Sequence, residues 1–362
     1  MARPGLTPSH TPERRTRVRL KPLALAAALL LGLTACSEGA SSDSGGGANP
    51  DGTPKELRIA YQLIPNGDLI VKDQKWLEQA LPDTKITWSK FDSGGDVNTA
   101  VIAGSVDIGL AGSSPVTRGL SAPLNIAYKV PWIFDVIGEN EALVAREAGS
   151  VTELKGKKIA TPFSSTSHYS LLAALQDAGL KETDVTIVDL EPPDIQAAWT
   201  RGDIDAAYVW TPVLGELQKN GKTLVTSKEL AAKGKVTADL AVVRTAFADK
   251  YPKALTVWLQ QQDKAVKLVR QDKASASAAV GRQLNLSPEE AGRQIDQLIL
   301  LDGKEQQGAE YLGTPAAPGA LAQNLFSAAQ FLKEQKKVDA VPELTVFQKA
   351  LAAKELADAF GG

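Results

Sequence analysis

The chain has 362 residues, with 40 Lys/Arg against 42 Asp/Glu and one cysteine. A length of this kind buries a large core and commonly divides into two domains, and a lone cysteine excludes an internal disulfide. Residues 1–35 hold six of the basic side chains and one of the acidic ones, so the remainder carries 34 against 41, a net charge of −7; this argues against the basic face on which nucleic-acid binding depends.

The first predicted element is an export signal. Arg14, Arg15, Arg17, Arg19 and Lys21 make a positive start, and Leu23–Leu31 follows as an apolar run too short to remain in a bilayer as a spanning helix. Leu33-Thr34-Ala35-Cys36 then sets the cysteine behind two small residues. A lone cysteine is ordinarily a small buried hydrophobe, but this one ends an apolar run and resembles a bacterial lipobox, in which the cysteine becomes the lipidated N-terminus. The expectation is a lipoprotein signal peptide over residues 1–35, lipid such as palmitate on Cys36, and a Ser/Gly-rich flexible tether over 36–55. Arg14-Arg15 also admits twin-arginine export, though its flanks fit that pattern poorly. No later segment is apolar and long enough to cross a membrane, so the expected place is extracytoplasmic, lipid-anchored to the cell membrane.

After the tether the chain repeats a plan once. Leu57-Arg-Ile-Ala-Tyr-Gln62 reads as a strand, and Lys158-Ile-Ala-Thr-Pro-Phe163 repeats it, each followed by a polar loop and a helical stretch, Asp68–Ala80 and Tyr169–Ala178. Asp96, Gly104 and Asp107 then recur as Asp194, Gly202 and Asp205 at a constant spacing of 98 residues, in a helix, tight turn, strand order. The glycines suit the left-handed position that ends a helix, and Asp96 and Asp194 suit a first turn. Two such units predict two α/β lobes with largely parallel sheets, lobe 1 over 56–141 and 245–362 and lobe 2 over 142–244. Beyond residue 245 the pattern is helical, including the amphipathic run Leu321–Lys337, which is expected to return to lobe 1 and cover it.

Ligands of open α/β sheets collect outside the carboxyl ends of the strands. The loops there are Gln62–Asp68, Gly112–Thr117, Pro162–His168 and Trp210–Pro212, and they predict one cleft between the lobes. Ser113-Ser114-Pro115 and Ser164-Ser-Thr-Ser-His-Tyr169 each place hydroxyls at a helix start, where free N–H groups and the helix dipole favour an anion. Ordinary capping explains either loop singly; the two together point to an oxyanion gripped from both sides. His168 is the sole histidine after the signal, which excludes a histidine zinc cluster, and no Gly-x-Ser-x-Gly elbow, Walker motif or Gly-x-Gly-x-x-Gly occurs. No metal, cofactor or enzymatic activity is expected. Trp210 and Tyr169 are candidate cleft aromatics, while Trp199, midway along a helix, reads as core. Glu141 and Asp239 each precede a hydrophobic strand where the chain crosses between lobes, a position from which a carboxylate can meet a ligand ammonium.

These residues also carry a family resemblance, from about Arg58 to Val338. Ala60-Tyr-Gln62, Lys90-Phe-Asp-Ser-Gly94, Gly112-Ser-Ser-Pro115, Glu141-Ala-Leu-Val144, Ser165–Leu175, Pro192-Pro193, Ala197–Pro212 and Ala329–Gln335 resemble taurine-binding proteins of bacterial ABC importers, within the nitrate/sulfonate/taurine type of periplasmic solute-binding proteins. Thr166-Ser-His-Tyr169 and Tyr208-Val-Trp-Thr-Pro212 are the more specific segments. The resemblance implies the type II periplasmic binding fold, two α/β lobes joined by two crossover strands, acting as a monomer with an ABC permease and its ATPase as partners. It implies a taurine sulfonate held around Ser113, Ser114, Thr166, Ser167 and His168, and an ammonium at Asp239 with Glu141 nearby. Trp210 and Tyr169 would form walls, and Gln62 would add a polar contact. An alkanesulfonate, nitrate, a pyrimidine precursor or another small anion is the alternative cargo. Pro131-Trp-Ile-Phe-Asp-Val136, Val236-Thr-Ala238 and Leu240-Ala241 depart from the family pattern, which leaves room for homotaurine or another amino-sulfonate.

Overall fold

The computed structural model describes residues 47–361; the expected signal peptide and Cys36 lie outside the described residues. Of the flexible tether expected over 36–55, residues 47–55 are described. Residues 47–55 form a turn in which Asp51 Oδ1 accepts from the Thr53 hydroxyl at 2.6 Å and Asn49 Nδ2 donates to the Asp83 carbonyl at 2.9 Å. Side chains that satisfy their own backbone and a neighbouring loop fix a segment whose composition alone reads as a leash.

The first lobe opens with β1 (Glu56–Tyr61), α1 (Gly67–Asp73), α2 (Trp76–Ala80), β2 (Lys85–Lys90), α3 (Gly94–Ile102), β3 (Ile108–Gly112), α4 (Ser113–Leu120) and β4 (Tyr128–Val136). The predicted single helix over 68–80 is broken at Lys75, which takes a left-handed φ of 53°. The second lobe runs through β5 (Glu141–Ala145), β6 (Lys158–Thr161), α5 (Thr166–Asp177), β7 (Thr186–Asp189), α6 (Pro192–Arg201), β8 (Ala206–Trp210), α7 (Val213–Gln218), β9 (Lys222–Thr226) and α8 (Ser227–Ala231). β10 (Ala238–Arg244) follows, then α9 (Thr245–Lys250), α10 (Pro252–Gln271), α11 (Lys273–Leu284), α12 (Pro288–Ile295), α13 (Leu321–Glu334), α14 (Leu344–Ala350) and α15 (Ala353–Phe360).

The two five-stranded sheets have matching orders, β2-β1-β3-β10-β4 and β7-β6-β8-β5-β9. Each has one reversed strand, β10 in the first and β5 in the second, antiparallel to both its neighbours. That strand is the one by which the chain enters the lobe. β10 is bonded to β3 and β4, so it belongs to the first lobe, and the second crossing lies between α8 and β10. The expectation that placed 142–244 wholly in the second lobe is corrected by that pairing.

The internal repeat has a structural cause. Asp107 Oδ2 accepts the Arg58 N–H at 3.0 Å, and Asp205 Oδ2 accepts the Lys158 N–H at 2.8 Å. In each lobe the repeated aspartate ties the start of the third strand to the start of the first. Gly104 and Gly202 make the turn before it at φ of 68° and 80°, a region open to glycine and strained for other residues.

The helices after β10 close over the first lobe, where Phe247, Trp258, Leu259, Ile295, Phe347 and Leu356 join one buried cluster with Leu57, Ile59 and Leu110. α13 does more than cover that lobe, as had been expected. Leu321, Leu325 and Ala329 enter the first core, whereas Ala328, Phe331 and Leu332 enter the second. One helix therefore fills a stripe in each lobe.

A cleft between helix starts and buried carboxyl groups as the candidate functional site

Both sheets point the carboxyl ends of their parallel strands at one cleft, and three helices begin there. α4 starts at the end of β3 with Gly112 as its cap, which offers no side-chain acceptor, and Pro115 in its first turn has no N–H. Ser93 caps α3 through the Asp96 N–H, and Ser165 caps α5 through the His168 N–H at 3.0 Å. The earliest N–H groups of each helix keep no intrahelical partner, and the positive dipole ends converge.

The cavity holds about 330 Å³ of unfilled space, part of it open to solvent. A solute of a few heavy atoms suits it. From the first lobe come Gln62, Ile64, Gly94, Gly112 and Pro115; from the second, Ser165, Thr166 and Trp210; from the crossings, Ile137, Asn140, Glu141 and Asp239. All four loops singled out in the sequence are represented. The charged groups lining this cavity and a smaller one beside it are Asp135, Glu141 and Asp239, and among the described residues no lysine, arginine or histidine lines either.

Burial raises the pKa of all three acids. Glu141 is 1 % exposed and is pushed up by burial, an effect moderated by hydroxyl donors. Thr166, Ser167 and Ser227 donate to it at 2.5, 2.9 and 2.8 Å, and Ser170 at 3.4 Å. Asp135 is pushed up to about 7 by burial, and Asp239 is held well above the carboxylate range by burial and then by Asp135 and Glu141.

Of the expected site residues, Gln62, Glu141, Thr166, Trp210 and Asp239 line the cavity. Gln62 also donates to the Leu110 carbonyl at 3.1 Å. Ser113 and Ser114 stand at the α4 start, both 2 % exposed, and Ser113 Oγ accepts from the Ala238 N–H at 3.2 Å. Others are placed differently. The Thr166 and Ser167 hydroxyl protons go to Glu141, so α5 offers an anion its backbone rather than those hydroxyls. His168 is set back from the cavity, its Nδ1 accepting from the Ser164 N–H at 3.2 Å and its ring stacked 4.6 Å from Phe163. Burial pushes its pKa down to about 3, so it is neutral. Tyr169 is not a cleft wall: it is buried in the second core, edge-on to Phe331 at 5.0 Å. A helical residue turns with its helix, and this one turns inward. Trp199 is core, as expected.

Asp135 and Asn140 were not singled out. The sequence carries a hint of Asp135 in an acid that ends the apolar run Val130–Phe134, but nothing in the run says what stands opposite it.

Residues 51–282 match the model of the NMT1-like family. The chain belongs to that family. Its relatives include the taurine-binding periplasmic protein of Escherichia coli strain K12, 38 % identical over 278 residues, covering 71 % of this chain and 79 % of the relative. Among solved structures, the alkanesulfonate-binding protein SsuA from Xanthomonas axonopodis pv. citri, bound to MOPS, superposes with a TM-score of 0.67 at 23 % identity, covering 82 % of this chain and 98 % of that one. The periplasmic aliphatic sulphonate binding protein SsuA from Escherichia coli superposes at 0.63 with 24 % identity, covering 81 % and 92 %. These two likenesses establish the periplasmic binding-protein fold.

Proposed function

We propose that this chain is the solute receptor of an ABC importer, held outside the cell membrane by lipid on Cys36, and that it captures taurine between its lobes as a monomer and presents it to the permease and its ATPase. The observation that carries the reading is the character of the cavity: helix starts line it and carboxyl groups floor it, with no basic side chain among the lining residues. A sulfonate is ionised at every relevant pH and needs donors rather than a proton acceptor; the N–H groups of α3, α4 and α5 supply them. A primary ammonium needs acceptors, and Asp239 stands at that end. The 38 % identity to a taurine-binding protein supports the same cargo.

An aliphatic sulfonate is the second reading, supported by the solved structures with the same fold. Titration calorimetry with taurine and ethanesulfonate separates them. Taurine is expected to bind more tightly, and Asp239→Ala is expected to weaken taurine by at least about a hundredfold while changing ethanesulfonate little. Tight ethanesulfonate with no taurine binding overturns the amine reading. The anchor is tested by labelling cells with radioactive palmitate: label is expected on the unaltered chain and absent from Cys36→Ser.

A further inference from the structure

We propose that Asp135 is a second specificity-determining carboxyl group: with Asp239 it forms a two-carboxyl seat for a primary ammonium, which displaces the one proton the pair shares in the unliganded protein. The inference rests on the amino-sulfonate reading and says how the amine is recognised.

Asp135 near the end of β4 lies directly opposite Asp239 at the start of β10 in the antiparallel ladder. Directly opposite residues of an antiparallel pair carry their side chains on one face, and Asp135 and Asp239 line the same small cavity, with Asp135 1 % exposed. Two carboxyl groups so placed, out of bulk water, do not both ionise, so the pair holds one proton. Asn140 Nδ2 donates to Asp135 Oδ2 at 3.2 Å and fixes that side chain from the first crossing. Glu141 makes an instructive contrast. It receives four hydroxyl donors, three within 2.9 Å, and is settled without a ligand. The Asp135–Asp239 pair has one amide donor and one proton for four oxygens, and Asp239 opens on the main cavity.

Among the described residues, the groups that line the two cavities beside the pair include no cation that can take the proton's place. β5 contributes Glu141, β8 and the turn after it contribute Trp210 and Thr211, and the loop after β1 contributes Ile64 and Pro65. An ammonium brings one positive charge and three N–H donors. On binding, the pair goes from one negative charge to two, the proton leaves to solvent, and the pair with its ammonium keeps a net charge of about −1. A quaternary amine has no N–H to offer, and a plain sulfonate leaves the shared proton where it is.

The test is calorimetry on the full chain purified in detergent, at pH 7, in buffers of different ionisation enthalpy, which counts protons released per ligand. Taurine is expected to release about one proton more than saturating ethanesulfonate. The comparison cancels any proton change that binding of either ligand brings at Glu191, whose carboxyl is pushed up to about 7 by burial and then by Asp96. Asp135→Asn is expected to remove most of that difference and to weaken taurine at least about tenfold, with ethanesulfonate altered less than about threefold. Equal proton counts for the two ligands, or Asp135→Asn binding taurine as the unaltered chain does, overturns the inference and leaves the taurine reading standing. No taurine binding by the unaltered chain overturns both. The proton comparison on the unaltered chain decides the matter even if Asp135→Asn fails to fold.

Discussion

Asp68 lies in the first turn of α1, 1 % exposed, with Gln262 Nε2 donating to its Oδ1 at 2.6 Å and its Oδ2 unpartnered. Burial raises its pKa from 3.8 to about 7. Between those values the folded protein keeps a proton that the unfolded chain has released, so this group makes stability fall as pH rises from about 4 to 7. The loss is about 4 kcal/mol and is complete above that range. Asp68→Asn retains the acceptor for Gln262 and cannot ionise. Scanning calorimetry is expected to place its thermal midpoint above that of the unaltered chain at pH 8 and within a degree or two of it at pH 4, with a flatter slope between. Burial of this kind is hard to read from a sequence. Gln62, Trp210 and Asp239 were legible because they end or begin strands at the sheet edge where ligands collect. Asp135 was not, because its meaning depends on the partner that the β4–β10 register puts opposite it. Tyr169 was misplaced for a related reason: a run of hydroxyls locates a helix start but not which way each later residue turns.

At the scale of the strand–helix unit, the repeated aspartates do one job at different cost. Asp107 accepts the Arg58 N–H and also holds two guanidinium groups, Arg58 at 2.7 Å and Arg244 at 2.6 Å, with its own side chain 3 % exposed. Burial alone would raise its pKa, and the two arginines hold it below the usual range instead. Asp205 sits in a more open place and caps the Lys158 N–H. Urea unfolding is expected to show Asp107→Ala losing about 3–5 kcal/mol, because two partly buried charges lose their carboxylate, and Asp205→Ala about 1 kcal/mol. Spacing revealed the pair, since a helix, turn and strand of fixed length reproduce it. It could not reveal the unequal cost, which comes from two guanidinium groups: Arg58 has Lys158 in its place, and Arg146, the counterpart of Arg244, turns its Nε to the Ile204 carbonyl instead. α13 shows the same limit: its amphipathic pattern was plain, but a stripe wide enough for one core looks the same as two adjoining stripes for two. Truncating Phe331 to Ala, which removes the edge contact on Tyr169, is expected to cost about 3–5 kcal/mol.

Across the whole molecule, function requires that two lobes meet around a small solute, and β3 separates that requirement from stability within three residues. The twofold plan was legible from the repeat; the way the lobes meet was not, because it depends on atoms from distant segments. A Cβ at Gly109 would stand 2.8 Å from Val97 Cγ1 and 3.0 Å from Ala60 Cβ, both inside the first lobe. A Cβ at Gly112 would stand 2.5 Å from Thr166 Cγ2, which belongs to the second lobe, and the φ of −65° there is ordinary for any residue. Gly109→Ala therefore strains the core whether or not ligand is bound, and is expected to lower unfolding free energy by about 1–3 kcal/mol. Gly112→Ala blocks only the approach of the lobes, which the unliganded protein can relieve by opening about its crossings. Its urea unfolding is expected to stay within about 1 kcal/mol of the unaltered chain while taurine affinity falls at least about tenfold. Adding Thr166→Ser removes the clashing methyl and keeps the hydroxyl that donates to Glu141, so the double variant is expected to recover most of the lost affinity in the same calorimetry. If Gly112→Ala instead destabilises the unliganded chain as much as Gly109→Ala does, or if Thr166→Ser restores nothing, the contact is not the one that limits closure.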